Sequence, residues 1–410
     1  MAQTRTSSPS SEESRVVVTG LGVVSSAGAS CGALLDALRE GRSGVGPLTR
    51  FPPEGLPCTL AGEVSDAPEA PQGTGRAAWY ALLAAREAAE DGGLPAERRG
   101  ETTAVIGSTK GLVDLLERSW GERERAPEAC AAAGAACADS PARQVAGELR
   151  LGGPVTGVAA ACASGPYSIA YAAGLLRAGR ARAALAGAAD APIVRSLMAG
   201  FTNLGVVTSA NGRGSTASRP FCATRDGLVV SEGAGVLLLE TLAEARARGA
   251  RAYCELAGWA LAGEATHITA PPSSPSVPAR AMQRALSAAG ATPDGLDYIN
   301  AHGTATRRND SYETQAIKEA LGERACSVPV SSIKGITGHA MAAAGATDAV
   351  VSVMALEHGI VPPTANYHEP DPECDLDYVP NQPREADLGT VLSSSLGFGG
   401  HVAMLVFRKL

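Results

Sequence analysis

Short apolar runs closed by glycine alternate with helical patterns in the first half of the chain. These runs occupy 16–19, 104–106 and 183–186. Between the first two, the segment 78–91 places Leu82, Ala85 and Ala89 on one face at helical spacing. Short apolar strands that alternate with helices predict parallel sheets whose two faces are both covered by helices.

The second half of the chain restarts the same pattern. A long strand is predicted at 251–261, a Pro/Ser-rich surface loop at 271–278 and a helix at 279–289. Four more strands are predicted at 297–301, 328–332, 390–394 and 402–407. The two halves look like weak echoes of one another.

These patterns divide the chain into three segments. A polar N-terminal stretch, 1–14, lacks the apolar core of a signal peptide and is predicted to be a disordered tail. Two α/β halves follow, predicted at 15–250 and 251–410.

Composition narrows the class of partner and compartment. Hydrophobic residues make up 45% of the 410 positions, which provides material for a large core. The formal net charge of −7 argues against nucleic acid as the main partner. The nine cysteines are odd in number and form no CxxC pair, so neither a disulfide framework nor a zinc site is indicated. A reducing, cytoplasmic location fits this cysteine usage.

One uncharged stretch, 151–176, is long enough to span a bilayer. It is interrupted by several glycines and two prolines. A buried strand followed by a buried helix fits these interruptions better, so no membrane partner is predicted.

Cys162 stands between a strand-like run and a helix-like run, in the sequence ACASG. Its small neighbours permit a tight elbow that holds the sulfur at a helix N-terminus. There the free N–H groups and the helix dipole favour a thiolate and can bind an oxyanion. A buried cysteine that packs as a small hydrophobic residue is the alternative.

Two histidines occupy comparable positions in the second half. His302 directly follows the strand predicted at 297–301, and ligands bind at such strand ends in open α/β folds. A histidine that is merely satisfied in a loop is the alternative. Further along, Asp310 and Glu313 have the spacing of a helix N-cap and N3, which predicts a capping box.

His339 precedes an alanine-rich segment that carries no charge until Asp348. Lys334 lies five residues earlier, and a lysine beside this apolar segment needs a partner or solvent. A surface lysine and a histidine at a helix start are the plain alternative. Near the C-terminus, the sequence GFGG at 397–400 lets the backbone approach a ligand and lets Phe398 move, unless it is only a surface turn.

Taken together, the ordered motifs ACASG, HGTAT, K…GH and GFGG resemble those of the β-ketoacyl-acyl-carrier-protein synthases. The likeness is greatest to 3-oxoacyl-acyl-carrier-protein synthase II and to type II polyketide ketosynthases, and it runs from about Val16 to the C-terminus. It implies an α/β, thiolase-like fold whose two similar halves form a five-layered αβαβα sandwich.

The resemblance also implies the reaction. An acyl chain held on Cys162 would undergo decarboxylative Claisen condensation with malonyl-ACP, extending a fatty-acid or type II polyketide chain, polyenes included, by two carbons. His302 and His339 would assist decarboxylation and stabilise the enolate. Lys334 and Glu313 would form a charged pair that braces the site.

Further positions follow from the same resemblance. The backbone N–H groups of Cys162 and Phe398 would form an oxyanion hole, and the Phe398 ring would gate the site. The substrate-binding positions are Thr304, Thr306, Lys110, Gly399 and Gly400. No metal and no separate cofactor are implied, because phosphopantetheine arrives on the ACP.

Lys110 departs from the family pattern, which commonly has an apolar residue near the end of the acyl pocket, at the dimer interface. A buried, unpaired lysine there would be costly. Two interpretations stay open: Lys110 finds a polar partner across a subunit interface, or the local alignment is shifted and Lys110 is exposed.

The implied partners are the ACP and a second subunit. The chain would form a dimer, either a homodimer or a heterodimer with a chain-length-factor-like subunit. Arg213, Arg219 and Arg225 are candidates for a basic patch that docks an acidic carrier. The competing function is a non-catalytic chain-length-factor-like or carrier-binding scaffold, which would lack the nucleophile or the histidines.

Overall fold

The computed structural model describes residues 14–121 and 137–410. The predicted disordered tail lies outside these residues except for Ser14. Within the described ranges, no helix has the length and apolar character needed to cross a bilayer.

The described strands lie mainly in one large sheet. They are β1 (Val16–Val24), β2 (Gly46–Pro47), β3 (Leu60–Ala61), β4 (Thr102–Gly107), β5 (Val155–Val158), β6 (Ala183–Asp190), β7 (Gly233–Thr241), β8 (Cys254–Gly263), β9 (Tyr298–Asn300), β10 (Val330–Ser331), β11 (Ile360–Val361), β12 (Arg384–Glu385), β13 (Thr390–Gly397) and β14 (His401–Arg408). The pairs β2–β3 and β11–β12 form two small separate sheets.

Helices connect these strands and cover them. They are α1 (Cys31–Glu40), α2 (Arg76–Asp91), α3 (Val113–Gly121), α4 (Ser140–Leu149), α5 (Ser164–Arg177), α6 (Arg195–Asn203), α7 (Leu242–Ala247), α8 (Ser276–Ala288), α9 (Arg307–Leu321), α10 (Lys334–Thr337) and α11 (Ala342–His358). Short 3-10 helices lie at Ala96–Glu101, Asn211–Thr216, Pro293–Gly295 and Gly322–Cys326.

The large sheet repeats one topology twice. Its first half has the strand order β5-β4-β6-β7-β1 and its second half the order β10-β9-β13-β14-β8. In each half the first three strands are parallel and the last two are antiparallel to their neighbours. The halves meet where Val17 and Val18 of β1 lie opposite Glu255 and Cys254 of β8. The similarity between the two halves of the sequence is therefore a structural repeat. The boundary between the halves at residue 250 stays a prediction.

Helices and sheet halves stack as five layers. Helices α2 and α4 pack on the outer face of the first half, and α8 and α9 cover the outer face of the second. Between the halves lie α5 and α11, which contact strands of both and each other. The largest apolar cluster runs through this middle layer. The five-layered αβαβα arrangement implied by the resemblance is confirmed.

Two local expectations were wrong. The sheet is mixed rather than parallel, because β7 and β14 run back along β6 and β13. The strand in the uncharged stretch is β5, which is the edge strand of the first half and leaves Val155 43% exposed. Helix α5, which follows it, is mostly buried as expected.

Candidate active site

Cys162 lies in the sharp turn that connects β5 to α5. Ala161, just before it, has a φ of 48°, an angle that non-glycine residues rarely adopt. Ser164 holds this turn, since its hydroxyl accepts from the N–H of Ala160 at 2.9 Å and donates to the carbonyl of Ala161 at 2.6 Å. The predicted elbow is present, and it places a largely buried sulfur just before the helix N-terminus.

A close helix crossing supports the elbow from below. A Cβ atom on Gly165, in the first turn of α5, would stand 2.5 Å from the backbone nitrogen of Ala346 in α11. Only glycine allows the two backbones to approach this closely. The crossing fixes the position of the Cys162 turn relative to α11, which begins three residues after His339.

Both histidines face the same sulfur. His302 follows β9 and His339 lies between α10 and α11. The Cys162 sulfur and one ring nitrogen from each histidine all lie within 4.8 Å of one another. The two rings stand edge to face, with centroids 5.4 Å apart and planes at 89°. These atoms are also the one set of potential metal ligands found in residues 14–121 and 137–410.

Burial controls the protonation of all three groups. It raises the pKa of the Cys162 thiol to about 11, although the charges of Lys334 and Lys110 and an N–H from Phe398 oppose the rise. The elbow therefore does not make a resting thiolate, because desolvation outweighs the cations and the helix end. Burial and the Lys334 charge lower the pKa of His339 to about 3, and the pKa of His302 also falls well below its usual value. Both imidazoles are therefore neutral near pH 7.

The backbone fixes which nitrogen of His339 carries the proton. Its Nδ1 accepts from the N–H of Met341 at 3.1 Å. A neutral imidazole that accepts at Nδ1 is protonated at Nε2, so this nitrogen donates. The main chain of His339 is itself held by Val229 and Ser231, through hydrogen bonds of 2.8 and 2.9 Å.

The predicted ion pair between Lys334 and Glu313 is not formed. The Lys334 ammonium lies 2.8 Å from Asp348, and each of these side chains is 1% exposed. Asp348 lies in the second turn of α11, on a face packed against the Lys334 segment. Its position as the first charge on a long apolar segment was the sequence signal that could have identified it as the partner.

Glu313 does not pair with Lys334, and its carboxylate instead holds the backbone of the loop that contains His302. Its carboxylate accepts from the N–H groups of His302 and Gly303 and from the hydroxyl of Ser394, each at 2.8 Å. Burial raises the pKa of Glu313 to about 7, although these three donors oppose the rise. A single side chain thus ties α9, the His302 loop and β13 together.

The predicted capping box is wrong as well. Helix α9 begins at Arg307 with Thr306 as its N-cap, so Asp310 lies inside the first turn. Asp310 is fully buried and accepts from the N–H of Phe221 at 2.8 Å, and it lies 3.6 Å from the Arg225 guanidinium. Asp310 is therefore held by tertiary contacts with Phe221 and Arg225 and does not cap the helix.

A cavity of about 460 Å³ leads to the sulfur. Its wall includes Cys162, His302, His339, Thr304, Thr306 and Phe398. The hydroxyls of Thr304 and Thr306 lie 2.8 Å apart. The sequence therefore identified residues that meet around a single cavity, although they are separated by up to 236 positions.

The GFGG turn closes one side of this cavity. Gly399 and Gly400 have φ values of 81° and 78°, in the left-handed region that favours glycine. A Cβ on Gly400 would lie 1.8 Å from the carbonyl oxygen of Glu264. The N–H of Gly399 donates to Ile268 at 2.7 Å, so the turn is attached to a second loop at the cavity wall.

The predicted basic patch is mostly buried. Arg219 and Arg225 are 3% and 1% exposed and pair with Asp226 and with Asp310 and Asp371, respectively. They are therefore unavailable for docking a carrier protein, whereas Arg213 is exposed.

Two exposed arginines that the sequence analysis did not select lie at the cavity. They are Arg307 and Arg308, at the start of α9. Their adjacency to the HGTAT motif was the available signal.

Comparisons with known proteins agree with this geometry. Residues 13–245 match the model of the β-ketoacyl synthase N-terminal domain, and residues 253–368 match that of the C-terminal domain. The chain is 40% identical to the tetracenomycin polyketide synthase ketoacyl synthase alpha subunit of Streptomyces glaucescens, over 97% of both chains. It is 39% identical to 3-oxoacyl-[acyl-carrier-protein] synthase 2 of Synechocystis, over 97% of this chain and 99% of the relative.

Solved structures give the same result. The ishigamide ketosynthase/chain length factor matches with a TM-score of 0.89 at 38% identity, over 97% of this chain and 99% of that one. A type II polyketide acyl-carrier protein in complex with its ketosynthase also matches with a TM-score of 0.89, at 34% identity and the same coverage. The chain belongs to the β-ketoacyl synthase family, the condensing acyltransferases of fatty-acid and polyketide synthesis.

Proposed function

We propose that this chain is a catalytically active condensing subunit of a type II synthase, in which Cys162 carries the acyl chain that is joined to malonyl-ACP. The observation that carries the proposal is the meeting of one sulfur and two neutral imidazoles in a buried cavity. A non-catalytic scaffold has no use for this arrangement.

The first step loads the enzyme. The Cys162 sulfur forms a bond to the thioester carbon of the acyl carrier, and the carbon–sulfur bond to phosphopantetheine breaks. The thiol proton leaves Cys162 and is taken up by the departing sulfur. An oxyanion forms after the new carbon–sulfur bond is made and before the old one breaks, and the backbone N–H groups of Cys162 and Phe398 stabilise it. The contact of the Phe398 N–H with the Cys162 sulfur supports this role.

The second step makes the new carbon–carbon bond. The malonyl carboxylate leaves as carbon dioxide, and its bonding electrons form an enolate. His302 and His339 donate hydrogen bonds to the enolate oxygen, as neutral imidazoles can. The enolate carbon then attacks the acyl carbon on Cys162, which releases the sulfur and leaves a β-ketoacyl chain on the carrier. Thr304 and Thr306 line the channel through which phosphopantetheine enters, with Gly399 and Gly400 beside it.

Lys334 and Glu313 act as positioning residues in this proposal. Lys334 keeps a positive charge near the thiol and both imidazoles, which lowers the pKa of all three groups. Glu313 positions the main chain of His302 by accepting a hydrogen bond from its N–H group.

We further propose that a second ketosynthase-fold subunit covers the edge of the first sheet half. Within the described residues, β5 has a neighbour on one side only, and the adjoining surface is apolar. Val155, Tyr171 and Leu261 are 43%, 48% and 40% exposed there. The similarity to a ketosynthase/chain length factor supports a heterodimer.

A carrier protein is the other proposed partner. The exposed side chains of Arg307 and Arg308 line the cavity, where they can attract an acidic carrier despite the net negative charge of the chain. The similarity to a carrier–ketosynthase complex supports this partner.

Acyl-enzyme trapping tests the proposal. The purified enzyme, with its partner subunit where one copurifies, is incubated with acetyl-ACP and analysed by intact mass. We expect an acetyl adduct on the wild type and on the control Cys326→Ala, which changes an exposed cysteine, and none on Cys162→Ala. Normal condensation by Cys162→Ala would overturn the proposal in favour of the scaffold.

The histidines are tested separately by their effect on the second step. We expect His302→Ala and His339→Ala to form the acyl adduct but to release carbon dioxide from malonyl-ACP at least 100-fold more slowly, because general acid or hydrogen-bond assistance is worth about that much. Unchanged decarboxylation in both variants would remove their proposed role.

A further inference from the structure

Asp190 is a fully buried carboxylate that takes no part in the steps proposed above. It is the last residue of β6, and it accepts four hydrogen bonds from the loop after β4. The donors are the hydroxyls of Ser108 and Thr109 and the N–H groups of Thr109 and Lys110. The side chain of Lys110 is half-buried and does not line the cavity around Cys162. The carboxylate therefore fixes the backbone of this loop.

A fifth hydrogen bond joins Asp190 to the start of α11. The N–H of Ala342, the first residue of this helix, donates to the carboxylate at 3.0 Å. Met341 before it provides no capping side chain, while the N–H groups of Ala343 and Ala344 donate to carbonyls of the preceding turn. The first N–H groups of a helix need acceptors, and the helix dipole favours an anion there. Asp190, 152 positions earlier in the chain, therefore caps α11.

The turn between His339 and this cap has an uncommon backbone conformation. Met341 has a φ of 51° and a ψ of −118°, which a non-glycine residue adopts only where the surrounding contacts hold it. Its N–H donates to Nδ1 of His339, and the next N–H along the chain, that of Ala342, donates to Asp190. The carboxylate thus holds the peptide that directly follows the donor to the imidazole.

The charge of Asp190 also reaches the nucleophile. Burial raises the pKa of the Cys162 thiol to about 11, and the negative charge of Asp190 adds to that rise. Removal of the charge should therefore favour ionisation of the thiol, whereas removal of the cap should loosen the His339 turn. An experiment can separate these two effects because they act on different steps.

We propose that Asp190 is a positioning residue for His339, which acts by capping α11 and holding the Met341 turn so that its N–H stays on Nδ1 of the imidazole. Without this cap the turn relaxes, and His339 is no longer held as the tautomer that donates from Nε2. Its hydrogen bond to the enolate oxygen is then weakened. The inference deepens the proposed function, on which it rests.

The rates of two steps in Asp190→Asn test the inference. Ser108 and Ala342 contact different oxygens of the carboxylate, and asparagine keeps only one oxygen, so it cannot accept from both. We expect acetyl loading of Cys162, followed by intact mass, to stay within about threefold of the wild-type rate. Release of carbon dioxide from malonyl-ACP should fall at least tenfold, equivalent to about 1.4 kcal/mol. Alkylation of Cys162 by iodoacetamide at pH 8 should be at least as fast as in the wild type.

Asp297→Asn is the matched control. Asp297 also accepts from two backbone N–H groups, those of Gly389 and Thr390 at 2.8 Å each, but it does not line the cavity. We expect this variant to keep the wild-type ratio of the two rates. Asp190→Ser, which also removes the charge, is expected to lower the ratio in the same way and serves if the asparagine variant fails to fold.

A double-variant cycle shows whether Asp190 acts through His339. In the background of His339→Ala, the further change Asp190→Asn should alter the release of carbon dioxide by less than about threefold, because no imidazole remains to be positioned. A general loss of structure would instead lower the residual rate again.

The inference is overturned if the neutral Asp190 variants decarboxylate malonyl-ACP at the wild-type rate, or if acetyl loading falls as much as decarboxylation. It is also overturned if Asp297→Asn lowers the ratio equally, or if the tenfold effect persists in His339→Ala. A wild-type enzyme that neither loads an acyl chain nor releases carbon dioxide would instead contradict the proposed function, so the two failures are distinguishable.

Discussion

Removal of the Lys334 ammonium is the sharpest test of the electrostatic design of this site. In Lys334→Met, the carboxylate of Asp348 stays buried without its partner at 2.8 Å. Coulomb's law at an effective dielectric constant of about 20 gives about 6 kcal/mol for opposite charges at this separation. Desolvation of the two groups offsets much of that attraction in the intact pair.

The variant loses the attraction but keeps the desolvation of the remaining charge. Loss of one partner of a buried pair costs about 3–5 kcal/mol, and we expect a decrease of that size in the free energy of unfolding at pH 7. Lys334→Met/Asp348→Asn removes the stranded charge, so it should be more stable than Lys334→Met. Urea unfolding followed by circular dichroism measures both variants.

The dependence on pH provides a second check. Burial raises the pKa of Asp348 above its ordinary value of 3.8, and Lys334 opposes this rise. Without Lys334 the folded-state pKa rises further, so the folded state holds a proton that the unfolded state releases. Stability is then fully present below about pH 3.8 and is lost as the pH rises through the folded-state pKa. The deficit of Lys334→Met should therefore be larger at pH 8 than at pH 5.

Reactivity should change together with stability. The Lys334 charge opposes the burial that raises the pKa of the Cys162 thiol, so both Lys334 variants should alkylate more slowly with iodoacetamide at pH 8. A stability loss below 1 kcal/mol in Lys334→Met, or a double variant no more stable than the single one, would refute the reasoning about the buried pair.

Further predictions concern the helix crossing and the histidines. Gly165→Ala places a Cβ 2.5 Å from the backbone of Ala346. We therefore expect the free energy of unfolding in urea to fall by about 1–3 kcal/mol and Cys162 to be acylated more slowly. A stable, fully active variant would contradict the tight crossing. Because burial lowers the pKa of His339 to about 3, the rate of malonyl decarboxylation should show no inflection near pH 6.5 between pH 5.5 and 8. The pKa of His339 is lower in the folded state than its ordinary value of 6.5, so the folded state binds this proton less readily than the unfolded state does. The contribution of His339 to stability is therefore fully present above pH 6.5 and is lost as the pH falls. The difference in unfolding free energy between wild type and His339→Gln should therefore shrink from pH 7 to pH 5, and a constant difference would count against burial as the cause.

Motifs in the sequence identified residues that meet at one cavity but misassigned how they are supported. The spacing of Asp310 and Glu313 fits a helix cap, yet the helix begins earlier and both carboxylates turn inward to backbone N–H groups. The error has a physical cause, because local spacing contains no information on which distant N–H groups a buried carboxylate must satisfy.

The protonation of the nucleophile shows a similar limit. A helix N-terminus beside Cys162 favoured a thiolate when only the local chain was considered. In the folded protein the thiol is almost fully removed from water, and this desolvation raises its pKa to about 11 despite two nearby lysines. Burial is a property of the whole packed layer and is not encoded in a single motif.

The strand and helix alternation, the glycines at tight turns and the selection of Cys162, His302 and His339 as candidate site residues were determined by the sequence alone. These features depend on near neighbours and on residue type, which periodicity and motifs report directly. Only the tertiary structure decided the mixed direction of the strands, the pairing of Lys334 with Asp348 and the exposure of β5. These features arise from contacts between segments far apart in the chain, where desolvation and hydrogen-bond satisfaction select the partner.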